Sequence, residues 1–255
     1  MNTKNHRLSA LKLICFPILT LLLGLCFAGE LRAQTLPLAE NLINLNSSEG
    51  EELLMASQAR QDYLPLSIQF VTQKNSTYCG VASMVMVLNA LSVPAPDTPE
   101  FGQYNTFTQD NLFNAKATEV TNPEVVAHRG MTLAELGRIL ESYPVTAEVH
   151  HGSEVTLAEF RNLLGSNLQE SNNFVLVNYL RKAISQERGG HISPVAAYNE
   201  ETDRFLILDV SRYKYPPVWV KAEELWQAIA TIDSTSQKTR GFVLVSSGND
   251  NTLEK

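Results

Sequence analysis

The chain has 255 residues, of which 44% are hydrophobic and 18% charged, which is typical of a globular protein with one large domain or two small ones. Lys and Arg number 20 against 27 Asp and Glu, so the formal net charge is −7. An acidic chain does not favour nucleic acid as a partner.

The N-terminal segment has the pattern of a secretory signal peptide. Basic residues precede an apolar block at residues 13–28, and small and polar residues follow it. That order predicts an exported, periplasmic protein that is cut after Ala33 or, alternatively, after Ala28. A lipoprotein cut before Cys26 needs a small residue where bulky Leu25 stands. The remaining alternative is an uncleaved segment that tethers the protein to the membrane. No other stretch is apolar enough to span a bilayer.

Removal of residues 1–33 changes both the charge and the cysteine content. Four of the 20 basic residues and one of the 27 acidic residues lie there, which leaves 16 against 26 and a net charge of −10. An anionic substrate must then be held by local Arg or Lys. Cys15 and Cys26 also leave, so Cys79 has no partner for a disulfide within the chain. Such a cysteine indicates a reactive thiol or an intermolecular bridge, and a buried, inert cysteine is the alternative.

The remaining chain predicts an α+β fold, with helices first and mostly antiparallel strands afterwards. Capping boxes at Thr132 and Thr156 open two of the helices, and Gly165 is expected just past the end of the second. The predicted helices are residues 51–60, 79–91, 132–143, 156–164 and 222–232, and the predicted strands are residues 66–71, 174–180, 191–198, 204–210 and 241–246. Residues 34–247 are expected to form the catalytic domain, and the polar tail 248–255 is expected to be mobile.

Cys79 has the features of a nucleophile. It is expected in the first turn of its helix, where free N–H groups and the positive end of the helix dipole stabilise a thiolate. A neighbouring imidazole would complete the activation. The candidate is His191, which follows Gly189 and Gly190, whose lack of side chains leaves room for a substrate backbone. The candidate orienting acid is Asp209, because a carboxylate at the end of an apolar strand needs a partner.

Strand pairing predicts that His191 and Asp209 lie on the same face of the sheet. If a five-residue loop joins their strands, Tyr198 faces Arg204, and the numbers of paired residues sum to 402. His191 and Asp209 sum to 400, an even offset that makes them diagonal neighbours. A four-residue loop would make the sum odd and place them on opposite faces.

Gln73 is the candidate for a further catalytic donor. Its side-chain amide could join the backbone N–H of Cys79 in an oxyanion hole, and a solvated loop side chain is the alternative. No Cys or His cluster has the spacing of zinc ligands, so no dedicated metal site is predicted.

Several segments resemble the catalytic segment of phytochelatin synthases. They are Phe70-x-Thr72-Gln73, Tyr78-Cys79-Gly80-x-Ala82-Ser83, residues 88–91, Gly190-His191-x-Ser193-Pro194, residues 197–199, residues 206–220 and Arg240-Gly241-Phe242. The resemblance runs from about Asn46 to Ser246. It implies a papain-like cysteine protease fold, in which a helical part that carries the Cys packs on an antiparallel sheet that carries the His and the Asp.

The resemblance also implies a reaction and the residues that perform it. Cys79, His191 and Asp209 would form the triad, with Gln73 in the oxyanion hole. The substrate would be glutathione, whose Cys–Gly peptide is attacked so that glycine leaves and a γ-glutamylcysteinyl thioester remains. Water would resolve it in the main route of the short bacterial form. A second glutathione would give phytochelatin, with a role in heavy-metal detoxification.

Substrate contacts and partners follow from the same resemblance. Arg240 would hold a glutathione carboxylate, since a guanidinium fits it in a bidentate manner, and a surface salt bridge is the alternative. Asp233 and Ser234 would contact the γ-glutamyl amine, and Gly190 would line the site. No tightly bound cofactor is expected, and Cd²⁺ or Zn²⁺ would enter as glutathione thiolate complexes. No stable membrane span is expected after signal removal, and a homodimer is left open.

Two other functions are weighed against this one. The first is a papain-like peptidase that cleaves other short peptides, such as leader sequences. The second is a non-catalytic module that binds a metal or a partner through Cys79, which would leave Gln73, His191 and Asp209 unexplained.

Overall fold

A seven-stranded antiparallel sheet organises residues 35–248, the part of the chain that the computed structural model describes. The strands are β1 (Ile43–Asn44), β2 (Val145–His151), β3 (Asn173–Leu180), β4 (Gly190–Asn199), β5 (Arg204–Ile207), β6 (Val218–Lys221) and β7 (Gly241–Ser247). Their order across the sheet is β1-β6-β5-β4-β3-β7-β2, and every pairing is antiparallel. The predicted signal segment lies outside the described residues, and so does the predicted tail apart from Gly248.

Eight α-helices surround this sheet in the described part of the chain. They are α1 (Ser48–Ala56), α2 (Tyr63–Ile68), α3 (Cys79–Ala90), α4 (Ala115–Val120), α5 (Pro123–Arg129), α6 (Leu133–Leu140), α7 (Leu157–Asn167) and α8 (Ala222–Ile229). Two short 3₁₀ helices, Pro99–Phe101 and Arg181–Ile184, complete the regular structure. The predicted α+β class is confirmed. No helix among residues 35–248 has the length and apolar character needed to cross a bilayer.

The sheet separates two hydrophobic cores, and this explains why its central strands are apolar on both faces. In β3, Leu176 packs into the core that contains α3, whereas Val175 and Val177 pack into the core that contains α7 and α8. Successive strand residues point to opposite faces, so a strand covered on both sides reads as one continuous apolar run. The predicted strand 174–180 is confirmed on that ground.

Helix α3 is buried from Cys79 to Leu88 and packs against β4. It begins at Cys79, as the sequence predicts, and the Ser83 hydroxyl donates a hydrogen bond to the Cys79 carbonyl oxygen at 2.7 Å. A helix buried on all sides cannot easily shift or fray. The residue at its first turn is therefore held in a fixed position relative to the sheet.

Several predicted elements differ from the structure, and others were not predicted. Residues 66–71 were predicted to be extended, but α2 covers Tyr63–Ile68, because a short apolar run does not distinguish a strand from a helix. The helix after Thr156 continues through Gly165 to Asn167, since Gly165 packs against the ring of Tyr198 inside the fold. Strands β1, β2 and β6 and helices α4 and α5 were not predicted. Both capping boxes, at the N-termini of α6 and α7, are confirmed.

The hairpin of β4 and β5 reaches the predicted arrangement by an unpredicted route. Its loop has four residues, and Asn199 pairs with Arg204, which is the odd register that would separate His191 from Asp209. A β-bulge between Val195 and Ala197 then shifts the register by one residue. Because a one-residue shift exchanges the two faces of a strand, the bulge restores the even register toward His191.

Candidate active site

Cys79, His191 and Asp209 come together where the N-terminus of α3 meets β4. Cys79 is 9% exposed, and its thiol is hydrogen-bonded to the His191 side chain. The His191 Nε2 lies 2.8 Å from Asp209 Oδ1, which leaves Nδ1 for the thiol. The structure thus confirms the predicted contact between His191 and Asp209. The order thiol, imidazole, carboxylate is the one required for an activated nucleophile.

The surroundings of Cys79 favour its thiolate. Burial raises the pKa of the thiol, but the hydrogen bond and the charge of His191 lower it, and so do the backbone N–H groups of Ile192 and Gly80. The net result is a pKa below the usual value of a cysteine. Burial lowers the pKa of His191, but Asp209 outweighs it, so the pKa of the imidazole lies above its usual value. The two shifts together stabilise a thiolate–imidazolium pair.

Asp209 is held from three sides. It follows β5 with its side chain buried, and Oδ1 accepts hydrogen bonds from His191 and from the Ser211 backbone N–H at 2.8 Å. Arg181 makes a bidentate pair with the same carboxylate, with Nη1–Oδ2 at 2.7 Å and Nη2–Oδ1 at 2.9 Å. Burial raises the pKa of Asp209, but His191 and Arg181 together lower it by more than burial raises it. The net pKa is below the usual value, so the carboxylate is ionised.

Gln73 is buried in the same network. Its Oε1 accepts from the Ser211 hydroxyl at 2.6 Å, and its backbone N–H donates to Val210 O at 2.9 Å. Its Nε2 donates to Asn75 O at 2.6 Å and lies 3.2 Å from the hydroxyl of the half-exposed Tyr213. The solvated-loop alternative does not fit a side chain with 3% exposure. The oxyanion role requires that the long contact to Tyr213 gives way to substrate, and it stays a prediction.

A cleft of about 210 Å³ opens beside the Cys79–His191 pair and contains all four predicted substrate-contacting residues. They are Gly190, Asp233, Ser234 and Arg240. Its remaining walls come from the loop before α3, from residues 129–131 and from the central strands. The predicted nucleophile and the predicted substrate contacts therefore share one space.

Arg240 and Asp233 are two buried charged residues of this cleft. Arg240 is 9% exposed and Asp233 is 7% exposed, which excludes a surface salt bridge. Arg240 Nη1 donates to Asn178 Oδ1 at 2.8 Å, and Nη2 lies 3.8 Å from Asp233 Oδ1. Burial lowers the pKa of Arg240, against the charges of Asp233 and Cys79. One Arg240 nitrogen, Nε, is buried without a partner.

Gly190 has a different reason to be glycine than the sequence suggested. A Cβ at this position would lie 2.4 Å from Arg240 Nη1, so the missing side chain makes room for the guanidinium rather than only for substrate. The preceding Gly189 has φ +127°, a conformation that side-chain-bearing residues rarely adopt. The Gly-Gly pair therefore both turns the chain into β4 and seats Arg240.

Among the described residues, the other histidines and acids do not form a second centre. Within residues 35–248, no group of three or more His, Cys, Asp and Glu side chains is placed to hold a metal ion. His150 stacks on Phe242, and His151 Nδ1 lies 2.6 Å from Thr239 O. These contacts are structural.

Two functional residues were missed from the sequence, Arg181 and Asn178. Asn178 lies within the apolar run of β3, and Arg181 follows it directly. A polar residue in such a position needs a buried partner, and this was the feature of the sequence that could have identified them. Their partners, Asp209 and Arg240, come from distant parts of the chain, so the sequence alone could not identify them.

Comparison with known proteins agrees with this geometry. The family model described as phytochelatin synthase matches residues 33–242. The chain belongs to the phytochelatin synthase family. It is similar to a protein of Arabidopsis thaliana named glutathione gamma-glutamylcysteinyltransferase 1, with 33% identity over 80% of this chain. A protein of Schizosaccharomyces pombe named glutathione gamma-glutamylcysteinyltransferase is 28% identical over 82% of this chain.

The match covers only part of these family members. It spans 41% of the Arabidopsis protein and 50% of the fission-yeast protein. Among solved structures, xylellain, a cysteine protease from Xylella fastidiosa, aligns with 77% of this chain and 89% of its own, with a TM-score of 0.41 and 10% identity. A likeness at that level carries no further conclusion.

Proposed function

We propose that this chain is a glutathione γ-glutamylcysteinyltransferase that also acts as a hydrolase of glutathione. The observation that carries the proposal is the shared cleft, in which the Cys79–His191 pair opens beside the buried charges of Arg240 and Asp233. Family membership and the names of the two relatives point to the same substrate.

The charges in the cleft are complementary to a γ-glutamyl group. That group carries a carboxylate and an ammonium on one carbon atom. Arg240 suits the carboxylate, since a guanidinium presents paired donors, and Asp233 suits the ammonium. Ser234 adds a hydroxyl at the same wall. With the γ-glutamyl end bound at Arg240 and Asp233, the Cys–Gly peptide would extend toward Cys79.

The first half of the reaction forms a thioester and releases glycine. The Cys79 thiolate attacks the carbonyl carbon of the Cys–Gly peptide, and the oxyanion accepts hydrogen bonds from the backbone N–H of Cys79 and from the Gln73 amide in its proposed role. The C–N bond then breaks, and the His191 imidazolium gives its proton to the departing amine. The γ-glutamylcysteinyl group remains on Cys79, and His191 is neutral.

The second half of the reaction returns the enzyme to its starting state. His191 takes a proton from water or from the α-amine of a second glutathione as that nucleophile attacks the thioester. The C–S bond breaks, and Cys79 leaves as a thiolate. Water gives γ-glutamylcysteine, which is the main product proposed here, and glutathione gives a phytochelatin. A glutathione thiolate complex of Cd²⁺ or Zn²⁺ would enter as substrate.

The proposal extends to the setting of the protein. The N-terminal pattern supports export to the periplasm, with tethering by the same segment as the alternative. A homodimer is compatible with the proposed activity, because Cys79, His191, Asp209 and Arg240 all come from one chain.

The test is incubation of the purified protein with glutathione, with and without Cd²⁺, followed by mass analysis of products. We expect glycine and γ-glutamylcysteine, and intact mass should show one γ-glutamylcysteinyl unit on Cys79. Cys79→Ala should abolish glycine release, and Arg240→Ala should raise KM by tenfold or more, since it removes a buried carboxylate partner. Arg161→Ala, which breaks an ion pair with Asp203 outside the cleft, is the matched control.

Two outcomes would contradict the proposal. Glycine release by Cys79→Ala would exclude the thioester. Cleavage of unrelated short peptides at rates similar to that of glutathione would favour the general peptidase instead.

A further inference from the structure

Arg181 contacts Asp209, and the reaction proposed above assigns it no role. Its side chain is 4% exposed and pairs with the Asp209 carboxylate through both terminal nitrogens, at 2.7 and 2.9 Å. Such a fork-to-fork pair fixes both the position and the plane of the carboxylate. Asp209 Oδ1 therefore meets His191 Nε2 at 2.8 Å in a predetermined orientation.

The guanidinium is itself held in place by the loop that follows β3. Arg181 Nη1 donates to Gln186 Oε1, and the guanidinium lies 5.1 Å from the centre of the Tyr215 ring. The Tyr215 hydroxyl in turn accepts from the Glu187 N–H at 2.9 Å. This arrangement immediately precedes the turn into His191, so one loop sets both the anchor and the base.

The buried charges around the thiol balance only when Arg181 is counted. With Cys79 as thiolate and His191 as imidazolium, Asp209 adds one negative charge and Arg181 one positive charge, so the four groups sum to zero. Tyr179 packs edge-on against His191, with ring centroids 5.7 Å apart, and burial raises the pKa of its hydroxyl, which keeps it neutral.

The charges of the cleft do not disturb this balance. Arg240, the residue before β7, lies near Cys79, and Asp233 lies 3.8 Å from Arg240, so these two also offset each other. No other charged side chain among the described residues lines the cleft except Arg129, which pairs with Glu135.

A neutral acceptor is sufficient for this kind of nucleophile. In the Cys-His-Asn arrangement of papain-like proteases, an uncharged asparagine orients the histidine. An unpaired carboxylate there would add a buried negative charge, which would oppose the thiolate and retain the proton on the imidazolium. We infer that Arg181 is a positioning residue that makes Asp209 act on His191 as a neutral acceptor and so sets the pH range in which the Cys79 thiolate exists.

The inference predicts opposite effects of the two single substitutions. The rate at which iodoacetamide alkylates Cys79 is followed against pH, by mass analysis of the peptide that contains it. In Arg181→Gln the acid limb of that profile should move up by about one pH unit, because a positive charge is lost near the thiolate. In Asp209→Asn it should move down by about the same amount. The double variant should return to within about half a unit of the wild type.

Catalysis should show the same compensation. Each single variant should lose at least tenfold in kcat/KM for glycine release, and the double variant should exceed both. Arg181→Lys keeps the charge but loses the fork, so its acid limb should stay in place while kcat falls. Limbs that move in the same direction, or losses that simply multiply in the double variant, would overturn the inference.

The set of variants distinguishes a failure of the inference from a failure of a variant to fold and from a failure of the proposed function. Each single variant leaves a buried charge unpaired and can fail to fold, but the double variant carries no such charge. If only the double variant is obtained, an acid limb displaced by more than one unit overturns the inference. Arg161→Gln should leave the profile unchanged. The catalytic readout rests on the proposed function, whereas alkylation does not need glutathione, so either can fail without the other.

Discussion

Cys79 and His191 must carry opposite charges within the same buried site. The thiol must lose its proton and the imidazole must keep one, and burial alone opposes both. Contacts decide the outcome: His191 and two backbone N–H groups lower the pKa of Cys79, and Asp209 raises that of His191. The reactive pair is thus a property of the site rather than of the cysteine.

This pair predicts a bell-shaped pH dependence of kcat/KM for glycine release. The ascending limb should follow the ionisation of Cys79, below the usual cysteine range, and the descending limb the loss of the His191 proton, above 6.5. Activity measured from pH 4 to pH 10 checks this. A single limb that rises only through the ordinary range of a thiol would mean that the ion pair does not form.

Burial makes the ionisation of Asp62 unfavourable, and this effect is independent of catalysis. Its side chain is 1% exposed, Oδ2 has no hydrogen-bond partner, and burial raises its pKa from 3.8 to about 9. The folded chain therefore keeps a proton at neutral pH that the unfolded chain releases. A raised pKa gives stability that is complete below pH 3.8 and declines as the pH rises toward 9.

Asp62→Asn should therefore stabilise the protein at neutral pH. We expect a gain on the order of 4 kcal/mol in the free energy of unfolding at pH 7, since each of the roughly three pH units above 3.8 costs about 1.4 kcal/mol. The gain should disappear near pH 3.5. Urea unfolding at both pH values is the measurement, with exposed Glu119→Gln as the control. An equal gain at both pH values would show that ionisation is not the cause.

At the scale of elements, the same capping motif occurs twice at different distances from the cleft. The boxes of Thr132 with Glu135 and of Thr156 with Glu159 have matching hydrogen bonds. Glu135 also holds Arg129, which lines the cleft, at 3.0 Å. One box therefore serves both a helix and the site, and the other serves a helix alone.

Thr132→Ala and Thr156→Ala should each cost about 1 kcal/mol of stability, because each removes the acceptor for one N–H at a helix start. Only Thr132→Ala should also raise KM for glutathione, by a few-fold, since it loosens the support of Arg129. Thermal unfolding and steady-state kinetics of both variants test this. A KM that rises equally in the two would mean that the effect does not pass through Arg129.

The elements also show what a sequence can and cannot predict. Helix α3, strand β3 and both capping boxes were predicted because their signals are local and periodic. The predicted nucleophile, base and acid came together, but through a four-residue loop and a bulge whose effects cancel. A bulge depends on how β4 packs on both neighbours, and the Arg181–Asp209 pair depends on the sheet order, so neither is local.

At the scale of the molecule, one sheet serves two cores. Alternate residues of β3 face opposite cores, and β5 divides in the same way, with Leu206 on one side and Phe205 and Ile207 on the other. Neither core can lose its packing without loss of the strands that form the other. Residues 35–248 should therefore unfold in one cooperative transition.

The two tryptophans of the chain can test this, because each reports on one core. Trp219 is buried in the core that contains α3, and Trp226 packs against the core that contains α7 and α8. Trp226→Phe leaves only Trp219, and Trp219→Phe leaves only Trp226. Within each variant, the urea midpoint from tryptophan fluorescence should equal the midpoint from far-UV circular dichroism.

The comparison within one variant removes the stability change of the substitution itself, which Trp219→Phe will cause through loss of its hydrogen bond to Gly50 O. Midpoints that separate in either variant would show that the two cores unfold independently.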